Sequence, residues 1–115
     1  MALIKVYTGA RLDLEFYKGY AIANYEFTVY NDDDTDYDFT NSTGVYFKLL
    51  AKKNGTVLTT IQMSFDTPKT NNIYLSDAGN SPSFILTTRT PRTAWYECYS
   101  IEGNNKLLFE GVAEL

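Results

Sequence analysis

Apolar and polar residues alternate with a period of two along most of this 115-residue chain, and nowhere do they hold the longer period of a helix. The clearest stretch is 93–115. Two aromatic-rich runs of strand length flank Glu102-Gly103-Asn104-Asn105, residues that tolerate positive φ, so the segment predicts a β-hairpin. In the first run Ala94, Tyr96, Cys98 and Ser100 share one face, and Trp95, Glu97, Tyr99 and Ile101 the other. In the second, Leu107, Phe109, Gly111, Ala113 and Leu115 are expected to face the core. Leu108, Glu110, Val112 and Glu114 then face solvent or a partner.

The same period organises the rest of the chain. Residues 2–7 predict a first strand, closed by Gly9. Residues 11–17 predict a half-buried strand with Leu12, Leu14 and Phe16 inward, and Lys18-Gly19 a turn. Residues 20–30, with Ala21, Ala23, Tyr25, Phe27 and Val29 on one face, predict the longest strand. The acidic stretch 31–38 predicts a loop, because its carboxylates repel one another and its side chains favour turns. Residues 45–53 place Val45, Phe47, Leu49 and Ala51 inward, and Asn54-Gly55 predicts a two-residue hairpin turn. The return strand carries Val57, Thr59, Ile61, Met63 and Phe65 on its apolar face. Short strands follow at 73–75 and 84–87, separated by the turn cluster 77–82. Short strands at such intervals, without a helix, predict one antiparallel β-sandwich or barrel domain over residues 1–115.

Composition sharpens this picture. Ten Tyr and seven Phe suit thin sheets, since a tyrosine ring can be buried while its hydroxyl stays wet. The net charge of -4 and the lack of a Lys/Arg run argue against nucleic acid as a partner. No stretch is apolar for long enough to predict a membrane span. The single cysteine, Cys98, leaves no intramolecular disulfide, and with no export signal in 1–7 it predicts synthesis in a reducing cytoplasm.

The chain contains no histidine, which removes the commonest general base and every Ser-His or Cys-His nucleophile. Cys98, mid-strand on an apolar face, reads as a packing residue. No pair of carboxylates stands out for glycosidase chemistry. Asp32, Asp34 and Asp36 alternate as calcium ligands can. However, Tyr37 occupies the place where an EF-hand loop needs its glycine, and Thr43 the place of its last glutamate, so a solvated turn with no metal is the expectation and calcium binding the alternative. Asn41-Ser42-Thr43 and Asn54-Gly55-Thr56 match glycosylation acceptors, but without an export signal they carry no argument. The outward aromatics Tyr30, Tyr46, Trp95 and Tyr99 are the candidate interface residues. Gathered on a sheet face, they would form an interaction surface or, alternatively, a sugar-stacking platform.

Two features point to a family. Thr93-Ala94-Trp95-Tyr96-Glu97-Cys98 resembles the Ala-x-Tyr-x-Cys run of immunoglobulin domains, with Tyr96 at the tyrosine corner and Cys98 at the core position, although no partner cysteine exists. From residue 37 onward, Tyr37-Asp38-Phe39-Thr40, Gly44, Val45-Tyr46-Phe47-Lys48, Asn54-Gly55-Thr56-Val57, Tyr96 and a last strand through Gly111 are similar to the small immunoglobulin-like domain at the start of tailed-phage baseplate upper proteins. The resemblance implies an all-β, immunoglobulin-like antiparallel β-sandwich of about seven to nine strands. It also implies a non-enzymatic virion protein made in the host cytoplasm, a capsid decoration or a baseplate or neck adaptor, without a cofactor and held in multiple copies by other virion proteins. A carbohydrate-binding module that uses the exposed aromatics is the alternative, with a glycan as partner.

Overall fold

The computed structural model describes residues 2–15, 25–75 and 93–114. Ten strands and no helix are found among them: β1 (Ala2–Tyr7), β2 (Ala10–Arg11), β3 (Leu14–Glu15), β4 (Tyr25–Tyr30), β5 (Gly44–Leu50), β6 (Val57–Gln62), β7 (Ser64–Phe65), β8 (Asn72–Leu75), β9 (Thr93–Glu102) and β10 (Asn104–Glu114). One sheet has the order β1-β4-β8-β7. The other has the order β2-β10-β9-β5-β6, with β3 also pairing β10. The two pack face to face. A run of rings crosses the space between them: Phe47 stacks on Tyr96 at 4.9 Å, Tyr96 meets Phe109 edge-on at 6.1 Å, and Phe109 meets Phe27 of the other sheet at 5.0 Å. Phe27, Val29, Val45, Phe47, Leu49, Ile73, Leu75, Tyr96, Cys98 and Phe109 are all fully buried, as the period-two pattern predicts for one face of each strand.

Both sheets are mixed rather than purely antiparallel. β1 runs parallel to β4, and β2 and β3 run parallel to β10. The cause lies in the N-terminal segment, which leaves the first sheet after Tyr7, turns at Gly9 (φ +80°) and joins the edge of the second sheet. The strand expected over 11–17 is therefore broken, with Leu12 and Asp13 between two short pairings. At this break Asp13 Oδ1 accepts the Val112 N–H at 2.9 Å and Arg11 at 3.1 Å. The Tyr96 hydroxyl donates to the Leu12 carbonyl at 2.5 Å. Gly111 lies directly beneath, where a Cβ would collide with the Leu12 carbonyl. Tyr96 thus fastens a segment far away in sequence and not the chain just before its own strand.

Three further local expectations are corrected. A bulge between Leu107 and Phe109 inserts Leu108 as an extra residue, so Leu108 is buried and Leu107 is 43 % exposed, the reverse of simple alternation. The β5–β6 turn is centred one residue earlier than an Asn-Gly loop. The Gly55 N–H donates to the Lys52 carbonyl at 2.8 Å, and Asn54 itself takes φ +61°. The return strand does not run on to Phe65: β6 ends at Gln62 and β7 pairs with β8 in the opposite sheet, so the chain changes layers at Met63. Of the long strand expected over 20–30, Tyr25–Tyr30 is observed, and the longest described strands are β9 and β10. The turn at Lys18-Gly19, the cluster 77–82, the strand at 84–87 and residue Leu115 lie outside the described residues.

Candidate interaction surface

Alternation along β9 sends Trp95, Glu97, Tyr99 and Ile101 to the outer side of the five-strand path, and pairing sets their neighbours. One row across the sheet reads Leu107, Tyr99, Tyr46, Gln62. The next reads Glu110, Glu97, Lys48, Thr60, and the third Val112, Trp95, Leu50, Val57. Three of the four candidate interface residues, Tyr46, Trp95 and Tyr99, therefore share one face. Tyr30 lies on the other sheet, opposite Tyr7 of β1.

The first row is the most open. Tyr46 and Tyr99 stack with ring centres 5.6 Å apart and planes at 23°, a pair worth about 0.5–1.5 kcal/mol beyond its buried area. Gly44 makes this possible: the Tyr46 ring lies back over it, and a Cβ there would stand 3.0 Å from the ring. Leu107, pushed outward by the bulge, extends the apolar strip. Beside it, Glu97 and Glu110 sit directly opposite each other, an arrangement that is unfavourable for like charges. Lys48 relieves it by approaching Glu97 at 3.6 Å and covering the Tyr99 ring at 5.2 Å. Glu110 accepts the Trp95 indole N–H at 3.0 Å.

Trp95 differs from the tyrosines. Only 9 % of it is exposed, with the Arg11 guanidinium 5.5 Å and the Lys53 ammonium 5.0 Å from its ring. It holds the third row together and offers little ring face to a ligand. Tyr30 belongs to a smaller patch in which Lys5 lies over both Tyr30 (4.7 Å) and Tyr7 (5.3 Å). There the Tyr7 hydroxyl donates to Asp34 Oδ1 at 2.7 Å. Tyr7, Leu107 and Gly44 complete the two patches and were not among the residues expected. Tyr7 could have been found as the third outward position of β1, whereas Leu107 could not, because its direction depends on the bulge.

Three carboxylates of the acidic loop, Asp33, Asp34 and Asp38, are hydrogen-bonded within the loop or to neighbouring residues. Asp33 accepts both the N–H and the hydroxyl of Thr35, Asp38 does the same for Thr40, and Asp34 takes Tyr7 and Lys5. These bonds hold the carboxyls of Asp33, Asp34 and Asp38 below the usual range. Among the described residues no three acids, cysteines or histidines converge on a metal position. A cavity of 270 Å³ lies between the loop and residues 69–71. Three of its polar side chains bond to the surrounding protein: Lys69 Nζ donates to the Ser42 carbonyl at 2.7 Å, Asn71 to the Val29 carbonyl at 2.9 Å, and Thr70 to Asp66 at 2.6 Å.

Cys98 is fully buried 3.6 Å from the Met63 sulfur, and burial pushes its thiol far above the ordinary range. That setting suits packing and opposes nucleophilic attack. No protein-family model matches this sequence, and no curated protein matches it.

Proposed function

We propose that this chain is a non-enzymatic interaction protein that docks onto another protein through the outer face of the β2-β10-β9-β5-β6 sheet. The observation that carries this reading is the row Leu107, Tyr99, Tyr46, where a stacked tyrosine pair and an exposed leucine form an apolar strip bordered by Lys48, Glu97 and Glu110. An aromatic and aliphatic strip with charged residues along one side has the make-up of a protein-binding patch. In this reading the partner is a virion protein, and the chain serves as a capsid decoration or a baseplate or neck adaptor of a tailed phage. The resemblance of residues 37–115 to the small domain of baseplate upper proteins supports it. Strand order supports the immunoglobulin-like part, because β1-β4-β8-β7 facing β10-β9-β5-β6 follows the sequence of strands in such sandwiches. β1, parallel to β4, departs from that pattern.

A glycan platform has less support, because Trp95, the ring best suited to stack on a sugar, is covered. The test is mass spectrometry of purified phage particles, together with co-sedimentation of the added wild-type chain and of its Tyr46→Ala/Tyr99→Ala variant. Presence in the particle, and loss of co-sedimentation by the variant, are expected. Absence from particles, or undiminished binding by the variant, would overturn the reading.

A further inference from the structure

Edges of sheets are sites where another strand can add, and proteins usually blunt them with charge, proline or brevity. The described edges of this molecule are treated unequally. β1 carries Lys5. β2 and β3 are two residues each, with Arg11 and Glu15. β7 is two residues long and soon followed by Pro68. β6 is the exception: its six residues, Val-Leu-Thr-Thr-Ile-Gln, contain no charge, proline or glycine. Residues 54–65 around it are uncharged as well, and among the described residues β6 pairs only with β5.

The hydrogen-bonding direction of this edge follows from one bond. The Met63 N–H donates to the Val45 carbonyl at 2.8 Å, so Met63, and by alternation Ile61 and Thr59, turn their peptide groups toward β5. Thr60 and Gln62 then turn theirs away, toward the open side. Their side chains lie on the outer face and are exposed. Val57, at the start of the strand, is 50 % exposed.

We infer that β6 is a self-pairing edge, along which a second copy of this chain adds its own β6 antiparallel about a two-fold axis, so that the peptide groups of Thr60 and Gln62 are satisfied by the other protomer. A second copy fits for reasons of charge and symmetry. Each chain carries a net charge of -4, and none of its charged residues falls within 54–65, so two copies can meet along this edge without charges of that strand facing each other. An antiparallel self-pair brings identical groups together in complementary order. With the axis perpendicular to the sheet, inward residues stay inward, and the outer faces of the two copies become one continuous surface. This pairing does not depend on what that face binds.

The experiment is sedimentation equilibrium of the full chain over a concentration series. A mass approaching twice 13.1 kDa is expected for the wild type. Thr60→Pro removes an N–H that the β5 ladder does not use, and Thr60→Lys sets like charges at the pairing edge. Both should halve the apparent mass, while Thr60→Val should leave it doubled. Fluorescence of Trp95, the single tryptophan and a buried one, reports that each variant is folded. Should the proline variant unfold, the lysine variant decides. A wild type that stays monomeric throughout, or a folded lysine variant that remains dimeric, would overturn the inference.

Discussion

Tyr96 and Gly111 show how two residues can hold a whole segment in place. Tyr96 is completely buried, and its hydroxyl donates to the Leu12 carbonyl. Burial accordingly raises its pKa. Tyr96→Phe keeps the stack on Phe47 but leaves that carbonyl short of a donor, and is expected to cost about 1 kcal/mol in a urea titration. Gly111→Ala places a methyl group against the Leu12 backbone, where neither strand can yield without losing the Asp13 to Val112 bond. It should cost about 1–3 kcal/mol. Had Tyr96 secured only its own neighbourhood, the two changes would act independently. A double variant less destabilised than the sum of the single changes is expected instead, because both loosen the same N-terminal crossing.

At the scale of single elements, β10 is where pattern and structure part. Simple alternation would bury Leu107 and expose Leu108, but the bulge reverses them. Leu108→Ala should therefore cost about 2–5 kcal/mol, and Leu107→Ala within about 0.5 kcal/mol of nothing, as measured by thermal unfolding. Equal effects, or the opposite order, would mean the register is wrong. The β5–β6 turn gives a second element-level expectation. Asn54 holds φ +61°, a conformation that costs other L-residues about 1–2 kcal/mol. Asn54→Ala should lose about 1 kcal/mol while Asn54→Gly loses little. Gly55 is needed for a different reason: a Cβ there would lie 2.6 Å from Lys52 Cγ and 3.0 Å from the Lys52 carbonyl.

For the molecule as a whole, stability should depend on pH at both ends of the scale. The carboxyls of Asp13, Asp33, Asp34, Asp38 and Asp66 are lowered, chiefly by hydrogen bonds from Val112, Thr35, Tyr7, Thr40 and Thr70 respectively. The unfolded chain, whose aspartates titrate at about 3.9, therefore takes up protons first as pH falls. Their contribution is present above that value and is lost as pH drops through the folded values. On the alkaline side, the hydrogen bond to Asp66 pushes Tyr74 up to about 12, and burial raises Tyr37, Tyr96 and Cys98. These groups favour the folded state below their unfolded values, about 8.5 for the thiol and about 10 for the phenols. That advantage shrinks as pH rises past those values. A plateau in melting temperature between about pH 5 and 8, falling on both sides, is the expected profile. A steady rise through about pH 11, beyond the unfolded phenol value, would contradict the burial of these groups.

The sequence by itself determined which residues face inward on most strands, because a period of two in a half-buried sheet is a local property written residue by residue. Val45, Phe47 and Leu49, Phe27 and Val29, and Tyr96 and Cys98 are all buried as that period requires. It also determined the all-β character, the closing hairpin and the outward direction of Tyr46 and Tyr99. Only the tertiary structure decided which strands become neighbours, since pairing partners far apart in the chain are chosen by how two layers close over one core. The parallel pairing of β1 with β4, the change of sheets after Tyr7 and after Gln62, and the bulge at Leu108 are of this kind. So is the surface itself: Tyr46 and Tyr99 lie far apart in the chain and stack only because β5 and β9 pair, while Trp95, outward by the same alternation, is covered by Arg11 and Lys53 from other segments.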